Sequence, residues 1–404
     1  MRRVVVTGMG IWSCIGQDLQ TVIESLKQGR SGIIFDPKRI EYGLQSGLVG
    51  NVPRPDIKPF LPRKFRATMS LDAEYAYMTT RQALEQAGVS DSYLRLNDVG
   101  IIWGSEYMGG EKEEYVKIMN EEKNSLLLGP SALFKTETSS VSMNLSGVFN
   151  LRGISLCMSA ACASSAYAIG LASTFIRSGT QDMIIVGGAN DISLIGSALM
   201  DAVDGRSVSN NPLEASRPFD KKRDGLVSSG GGAALILEEY NHALNRGIKP
   251  LVEIIGVGFA TDGQFFLGDK KTNIVRSMLN AIADAHIKTC DIDYINSSAS
   301  GGILEDVCEA RALNELFAGN KVMIGSTESI TGHEHHMAGA SETIYTALML
   351  LNDFIAPTVN LTDVIDEAKD LNIVRHTIYQ KLNTALINNT GLGGVNTSLI
   401  ISKL

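Results

Sequence analysis

The segment Val4-Val5-Val6-Thr7-Gly8-Met9-Gly10 has a close echo in Val252-Glu253-Ile254-Ile255-Gly256-Val257-Gly258. Each predicts a β-strand that enters a glycine turn, and a helical pattern follows each one, over residues 19–27 and 272–285. The far ends agree as well, because 230–237 and 391–401 both predict a glycine turn feeding a strand. Chance is the alternative for one such match, but agreement at both ends predicts a duplicated unit. Its halves would be 1–250 and 251–404, joined over 241–250.

Buried-type strands lie between these ends and alternate with helical patterns. Apolar runs occur at 99–103, 183–186 and 322–324. Strands that alternate with helices indicate the α/β class, in which layers of helix cover mixed sheets. The sequence has no low-complexity tract or flexible linker, so we expect the halves to pack as one body.

The composition is that of an ordinary globular protein and argues against two classes of function. Of the 404 residues 44% are hydrophobic, and the net charge is −8 at pH 7. An acidic chain is a poor fit to nonspecific nucleic-acid binding, which needs many Lys and Arg on phosphates. No apolar run approaches the roughly 18 residues of a membrane span, and no signal-peptide core follows the first valines, so we expect a cytoplasmic protein. The five cysteines show no disulfide framework, so we expect reduced thiols.

Cys162 is the candidate nucleophile. It lies in Met158-Ser159-Ala160-Ala161-Cys162-Ala163-Ser164-Ser165, after an apolar run and before residues with helical spacing. A thiol on a strand-to-helix turn lies at the positive end of the helix dipole, where the thiolate is favoured. The alternative is a buried structural cysteine in a seam of small residues, since free Cys is commonly buried.

Several motifs together resemble the β-ketoacyl-ACP synthase family of the thiolase superfamily, and they favour its elongating synthase II branch. The resemblance extends over the whole chain. The motifs are 2–8 (RRVVVTG), 159–164 (SAACAS), 215–220 (ASRPFD) with 223–225 (RDG), 326–327 (ST) with 331–333 (TGH), and 391–396 (GLGGVN).

The resemblance implies a five-layered αβαβα thiolase-like fold and a tight dimer, with 153–157 at the two-fold interface and Leu133 and Phe134 reaching the partner's pocket. It implies that Cys162 accepts an acyl chain from acyl carrier protein, and that a malonyl-loaded carrier then decarboxylates to an enolate that attacks the acyl thioester. The amides of Cys162 and Leu392 would form the oxyanion hole, and His333 would donate to the malonyl thioester oxygen.

Two departures from the family pattern affect this chemistry. Ser298 lies where the family has its first histidine, and Glu328 lies where it has an active-site lysine. Glu342 occupies the position of a family glutamate. Loss of one preorganised donor costs about 10²–10³ in turnover, and a carboxylate opposes a developing enolate. Burial beside Glu342 would relieve that conflict by raising the pKa values of the pair, so that one carboxyl stays protonated.

The acyl entrance and the supporting residues are also assigned by resemblance. Leu392 replaces an aromatic gatekeeper, and Thr390 replaces a phenylalanine. Ser300 is what remains of the hydroxyls that hold pantetheine. Asp220 and Arg223 belong to a family motif that supports the site.

Three functions remain open at this point. The first is an acyltransferase of the ketosynthase type, acylated at Cys162 and impaired in decarboxylation. The second is a noncatalytic partner of a complete ketosynthase, similar to the chain-length factors of type II polyketide systems. The third is acyl transfer or hydrolysis by a nucleophile, base and orienter set made of Cys162, His333 and either Glu328 or Glu342. The pathway would be fatty acid, aryl polyene or polyketide biosynthesis.

The remaining predictions concern partners and ions. Arg63, Lys64 and Arg66 form a basic cluster that we assign to acyl carrier protein docking, with an ordinary solvated helix face as the alternative. The run 221–223 is a second docking candidate. We expect a homodimer or a heterodimer with another ketosynthase, and no nucleic acid or membrane partner.

For ions, we expect no catalytic metal and interpret His335 and His336 as part of a helix face, with metal binding as the alternative. The family alone suggests a structural monovalent cation near Asn296, Ser297, Glu342 and Asn388.

Overall fold

The structure is a computed structural model that describes residues 2–106, 110–203, 205–263 and 271–404, with the side chains of 271 and 272 left aside. The strands within these ranges are β1 (Val4–Trp12), β2 (Ile33–Phe35), β3 (Leu48–Gly50), β4 (Gly100–Gly104), β5 (Ser155–Met158), β6 (Met183–Asn190), β7 (Gly231–Glu239), β8 (Val252–Thr261), β9 (Tyr294–Asn296), β10 (Met323–Gly325), β11 (Phe354–Ile355), β12 (Ile378–Tyr379), β13 (Thr384–Thr390) and β14 (Val395–Lys403).

The α-helices in the same ranges are α1 (Leu19–Gln28), α2 (Pro37–Tyr42), α3 (Arg63–Arg66), α4 (Leu71–Gln86), α5 (Asp91–Leu96), α6 (Gly110–Glu122), α7 (Ala132–Thr136), α8 (Ser140–Phe149), α9 (Ser164–Arg177), α10 (Leu194–Asp201), α11 (Tyr240–Asn245), α12 (Lys271–Asp284), α13 (Glu305–Phe317), α14 (Glu328–Thr331) and α15 (Ala338–Leu351). None of the helices in the described ranges is long and apolar enough to cross a bilayer.

Ten strands pair in the order β10-β9-β13-β14-β8-β1-β7-β6-β4-β5. The first half contributes β1-β7-β6-β4-β5 and the second half β8-β14-β13-β9-β10. The first two pairings in each list are antiparallel and the last two are parallel. The halves meet where β1 pairs with β8 through Val5 and Val6. The same order and the same strand directions in both halves confirm the duplicated α/β fold.

The glycines of the first and eighth strands are not turn residues, and this part of the sequence interpretation was wrong. β1 and β8 both continue through their glycines. A Cβ on Gly8 would lie 2.0 Å from the carbonyl oxygen of Ala83 in α4, and one on Gly256 would lie 2.4 Å from that of Ala281 in α12. The glycines let a helix approach each strand closely, so the repeated pattern marks two equivalent helix–strand contacts.

Three buried apolar clusters separate the layers. One lies between the sheet and α4 in the first half, and another lies between the sheet and α12 and α13 in the second half. The third surrounds α9 and α15, which pack against each other and against strands of both halves. The helices α9 and α15 therefore form the central layer of the αβαβα fold, and the loops that precede them carry the candidate site.

Candidate functional site

Cys162 lies on a tight turn between β5 and α9. Ala161, just before it, has φ 49°, a backbone conformation that costs energy for any residue with a Cβ. The Ser164 side chain accepts a hydrogen bond from the Ala160 amide (2.8 Å) and donates to the Ala161 carbonyl, which holds the turn closed. The thiol is half-buried, two residues before the first residue of α9. The predicted strand-to-helix position of Cys162 is confirmed.

His333 is fixed by its own backbone. Its amide donates to the Val227 carbonyl (2.7 Å), and its carbonyl accepts from the Ser229 amide (2.8 Å). Gly332, at φ 71°, turns the chain out of α14, and its Cβ position would lie 2.7 Å from the Val227 oxygen. Glycine is required here by both conformation and space. The imidazole is therefore held by a loop that is tied to the segment before β7.

Cys162, His333 and Glu328 form a connected set. His333 Nδ1 and Glu328 Oε1 are hydrogen-bonded at 2.8 Å, and one ring nitrogen of His333 lies within 4.8 Å of Cys162 Sγ. Burial alone lowers the pKa of His333, but the hydrogen-bonding Cys162 and the carboxyls of Glu334 and Glu305 raise it above its ordinary value. Of the two carboxyls considered for the orienting role, Glu328 is the one that contacts the imidazole.

Glu328 and Glu342 form a buried carboxyl pair. Burial raises the pKa of each group well above its ordinary value, and Glu342 is further affected by the charge of Glu328. Glu328 Oε2 and Glu342 Oε1 have no donor among the described residues, while Asn389 donates to the other Glu342 oxygen (2.8 Å). A proton shared by the two carboxyls satisfies both oxygens. The predicted rise in the pKa values of the pair agrees with these surroundings.

Three more acids surround the set, and the sequence analysis did not name them. Burial raises the pKa of Glu334 to about 7, that of Glu309 to about 8 and that of Asp306 to about 6. Glu334 accepts from the Tyr345 hydroxyl (3.0 Å). Glu309 and Asp306 are three residues apart on α13, a spacing that predicts one helix face, but only the tertiary packing shows that this face turns toward the site.

Ser298 and Thr390 are hydrogen-bonded to each other. The Thr390 amide donates to Ser298 Oγ at 3.1 Å, and the two hydroxyl oxygens are 3.1 Å apart. Gly391 follows, and a Cβ there would lie 2.9 Å from the Ala160 carbonyl, so the C-terminal glycine turn lies against the Cys162 turn. Leu392 is 59% exposed. Ser298, Thr390 and Gly391 thus form one wall of the site, and this wall reaches the Cys162 turn.

The comparisons with known proteins agree with this geometry. Residues 1–243 match the model of the beta-ketoacyl synthase N-terminal domain, and residues 251–362 match that of the C-terminal domain. This chain belongs to the β-ketoacyl synthase family.

Individual relatives cover the whole chain. The 3-oxoacyl-[acyl-carrier-protein] synthase 1 of Haemophilus influenzae is 37% identical, with 100% of this chain and 99% of the relative covered. That of Escherichia coli is 36% identical over 100% of both chains. The 3-oxoacyl-[acyl-carrier-protein] synthase 2 of Vibrio harveyi is 32% identical, with 100% of this chain and 99% of the relative covered. Of these relatives the synthase 1 proteins are the more similar, whereas the sequence motifs favoured the synthase II branch.

The solved structures show the same fold. A beta-ketoacyl synthase from Burkholderia phymatum superposes with a TM-score of 0.94 at 31% identity, covering 100% of both chains. The ishigamide ketosynthase/chain length factor superposes with a TM-score of 0.92 at 23% identity, covering 100% of this chain and 99% of that one. At that identity the second match supports the fold alone. The thiolase-like fold predicted from the motifs is confirmed.

Two further β-ketoacyl synthase motif residues have clear structural roles here. Asp220 is fully buried and accepts from the amides of Lys222, Thr362 and Asp363 (2.6–2.9 Å). Arg223 donates to the carbonyls of Gly302 and Ile303. Both residues hold loops together. Lys221 pairs with two aspartates of the same loops, which favours a loop-structure role for 221–223 over carrier docking.

Ser300 and the basic cluster lie in different surroundings. Ser300 is buried, and its amide donates to Asp306 (3.1 Å). Arg63 and Lys64 on α3 are exposed, whereas Arg66 is partly buried and donates to the Leu61 carbonyl (3.0 Å). Of the three cations, Arg63 and Lys64 are the ones exposed to solvent.

His335 and His336 do not lie on the face of an α-helix, so the helix-face interpretation was wrong. They open a short 3₁₀ turn before α15 and are both buried. The His335 ring centroid is 4.8 Å from that of His333, and its ligand nitrogen lies within 4.8 Å of Cys162 Sγ. Burial, and then the neighbouring His333, lower the pKa of His335 well below its ordinary value. The motif 333–336 showed two extra histidines, but their proximity to Cys162 depends on a φ of 48° at His335.

Proposed function

We propose that this chain is an acyltransferase of the β-ketoacyl synthase type that accepts an acyl chain from acyl carrier protein onto Cys162. The observation that carries the proposal is the position of His333 between Cys162 and the Glu328 carboxyl. A cysteine, a histidine that takes up its proton and a carboxyl that orients the histidine are the groups that thioester exchange requires.

Each group has a defined part in this step. His333 Nε2 accepts the Cys162 proton, because Nδ1 is committed to Glu328. The thiolate attacks the carrier thioester, the oxyanion forms near the amides of Cys162 and Leu392, and the carrier thiol leaves as the acyl-enzyme forms. Ser298 and Thr390 shape the acyl entrance beside the turn.

We further propose that decarboxylative condensation is weak or absent. Ser298 Oγ is already paired with Thr390, so it is a poor substitute for an imidazole donor. Glu328 places a carboxyl where developing enolate charge would need a positive group. Loss of one preorganised donor costs about 10²–10³ in turnover.

Intact-mass spectrometry of the full chain with acyl-loaded carrier tests the first step. We expect one acyl group per chain, lost in Cys162→Ser and kept in the matched Cys290→Ser, whose thiol is exposed. A malonyl-carrier assay tests the second step. Glu328→Lys combined with Ser298→His should raise decarboxylation, with non-additive effects because both changes act on the same charge. Strong condensation by the unmodified chain would refute the impaired-condensation proposal.

The second candidate function is that of a noncatalytic partner of a complete ketosynthase. The observation that favours it is the same pair of replacements, Ser298 and Glu328. In that case Cys162 would remain unacylated and would react with iodoacetamide no faster than the other thiols. Co-purification with a second ketosynthase would then accompany the absence of acylation.

An exposed apolar surface is available for a partner subunit under either function. β5 is an edge of the ten-stranded sheet. Leu133 and Phe134 on α7 are 63% and 45% exposed, and Met143 on α8 is 38% exposed. We propose that a second ketosynthase-type subunit, identical or different, covers β5 and this surface, and that acyl carrier protein docks at Arg63 and Lys64. Light scattering at micromolar concentration tests the dimer.

The proposed monovalent cation has a partial fit. Ser297 Oγ is a buried oxygen without a hydrogen-bond partner in the described ranges, as such an ion requires, whereas Glu342 Oε1 is the oxygen that shares a proton with Glu328. The Asn388 side chain is already used, because it donates to Glu309 and accepts from Asn396 and Ser398. An ion held by Ser297 and Glu342 without Asn388 would therefore displace the proton shared by Glu328 and Glu342. A rise in Tm when potassium replaces tetramethylammonium would support it.

A further inference from the structure

Cys162, His333 and His335 form a cluster with the chemistry of a metal site. Their ligand atoms, one thiol sulfur and two ring nitrogens, all lie within 4.8 Å of one another. With Zn–S near 2.3 Å and Zn–N near 2.0–2.1 Å, the donors of a tetrahedral site lie roughly 3.3–3.7 Å apart. Side-chain rotation that closes the cluster by about 1 Å is enough to reach those separations.

The surroundings support both histidines as ligands. Glu328 Oε1 is hydrogen-bonded to His333 Nδ1, which is the carboxylate–histidine arrangement that orients zinc ligands, and this leaves Nε2 for the metal. His335 lines a small cavity together with Asn190 and Ser228. Asn190 Oδ1 and Ser228 Oγ are buried acceptors without a partner among the described residues. Because both oxygens line the same cavity as His335, rotation of the ring toward a metal would let its second nitrogen donate to one of them.

The backbone at the cluster is fixed before any metal arrives. His335 is a non-glycine residue at φ 48°, buried in the short turn before α15. Such a conformation persists only where the surrounding structure imposes it. The nearby cation, Arg206, is paired with Asp201 at 3.2 Å, so its charge is largely neutralised near an incoming metal ion.

We propose that Cys162, His333 and His335 bind one Zn²⁺ ion, with Glu328 as the carboxylate behind His333 and the fourth coordination position open to solvent or ligand. Three protein ligands with an open fourth position are typical of a reactive rather than a closed structural zinc site. The metal would bind the same thiolate that attacks thioesters, so zinc and acyl chain exclude each other at Cys162. The metal site requires only these ligands and is independent of the acyl-transfer proposal.

Cobalt is the probe for the site, because tetrahedral Co²⁺ has visible bands and a thiolate ligand adds a near-ultraviolet charge-transfer band. We expect the metal-free, reduced full chain to bind one Co²⁺ with both features, and Zn²⁺ to displace it. Cys162→Ser should remove the charge-transfer band. His335→Asn, which tolerates a positive φ, should weaken binding at least tenfold. The matched controls Cys290→Ser and His376→Asn should bind like the unmodified chain.

A second measurement uses the unmodified chain, so it decides the matter even if a variant fails to fold. Zinc should slow iodoacetamide labelling of Cys162 at least tenfold, and a chelator should restore the rate. Absence of stoichiometric Co²⁺ binding, equal binding by His335→Asn, or unchanged labelling in zinc would overturn the proposal. Acyl loading is measured with chelator present, so failure of loading refutes only the proposed function, and failure of cobalt binding refutes only the metal site.

Discussion

The two halves of the molecule share one architecture and differ in what their central loops carry. β5 leads through the short turn at Cys162 into α9, and β10 leads through α14 and a longer loop into α15. The first loop presents a single thiol, whereas the second presents Glu328, His333 and His335. The comparison teaches that the duplicated scaffold brings two equivalent loops together without making them chemically equivalent.

The outer layers, in contrast, have stayed alike. α4 packs on Gly8 and Gly10 of β1, and α12 packs on Gly256 and Gly258 of β8, with Cβ positions 1.9–2.4 Å from helix carbonyl oxygens in all four cases. These helix–strand contacts are therefore equivalent in the two halves, whereas the loops before the two central helices differ.

The largest expected effect comes from removing the thiol that the first loop presents. Cys162→Ala should reduce acyl loading by at least about 10³-fold, because the nucleophile carries the bond that forms. Intact-mass kinetics measure it, with Cys290→Ser as the control. Loading that persists on Cys162→Ala would place the acyl group elsewhere and remove the functional distinction between the two loops.

The shared helix–strand contacts predict equal sensitivity in both halves. Gly8→Ala and Gly256→Ala each force a methyl group against a helix carbonyl, and each should lower the free energy of unfolding by about 1–3 kcal/mol. Denaturant unfolding measures the loss. Gly147→Ala in α8 is the control, because no atom lies within 4 Å of its Cβ position, and it should stabilise by about 0.5–1 kcal/mol. A large loss in only one half would show that the contacts are not equivalent.

The acids of the second half predict a pH dependence of stability. In the unfolded chain Glu309 ionises near its ordinary pKa of 4.5, while in the folded chain burial raises the pKa to about 8. The folded state thus holds one more proton between these values, and the free energy of unfolding falls as the pH rises from 4.5 to 8. Glu309→Gln keeps an oxygen that accepts from the Ser298 amide and the Asn388 side chain. It should make the fall less steep, because the difference in bound protons between the folded and unfolded states shrinks by up to one.

Chemical unfolding across that pH range provides the test, with the exposed Glu121→Gln as the control variant. Parallel curves for the unmodified chain and Glu309→Gln would mean that Glu309 is ionised in the fold at neutral pH.

The smallest expected effect concerns the basic helix of the first half. Arg63→Glu with Lys64→Glu should slow acyl loading severalfold at low salt and much less at high salt, because exposed charges steer association and are screened. Lys288→Glu, an exposed cation of the second half, is the control. Equal slowing by the control would mean that overall charge, rather than docking at α3, sets the rate.

The sequence predicted the repeated strands because buried runs are visible as such. The run at 183–186 lies in β6, and the run at 322–324 overlaps β10. It misread Gly8 and Gly256, because a glycine that admits a helix and a glycine that makes a turn look identical in one sequence. Only the packing of α4 and α12 distinguishes them.

The candidate site divides in the same way. Cys162, His333 and Glu328 could be predicted, because each lies in a motif with a known chemical pattern. Glu309 and His335 could not be placed, because their approach to the site depends on helix packing and on a left-handed backbone conformation. Motifs identify residues that act through their own loops, and they miss those brought in by the fold.

Gly339 lies in α15, six residues beyond His333. A Cβ there would lie 2.4 Å from the Ala166 amide nitrogen in α9. The two helices can therefore be in contact at this point only because residue 339 has no side chain. This contact therefore limits how closely the starts of α9 and α15 approach each other. The distance between the Cys162 sulfur and the His333 imidazole depends on that spacing. A methyl group at position 339 would push α15 away from α9. It would thereby lengthen the distance that a proton travels from Cys162 to His333 in the proposed acyl transfer.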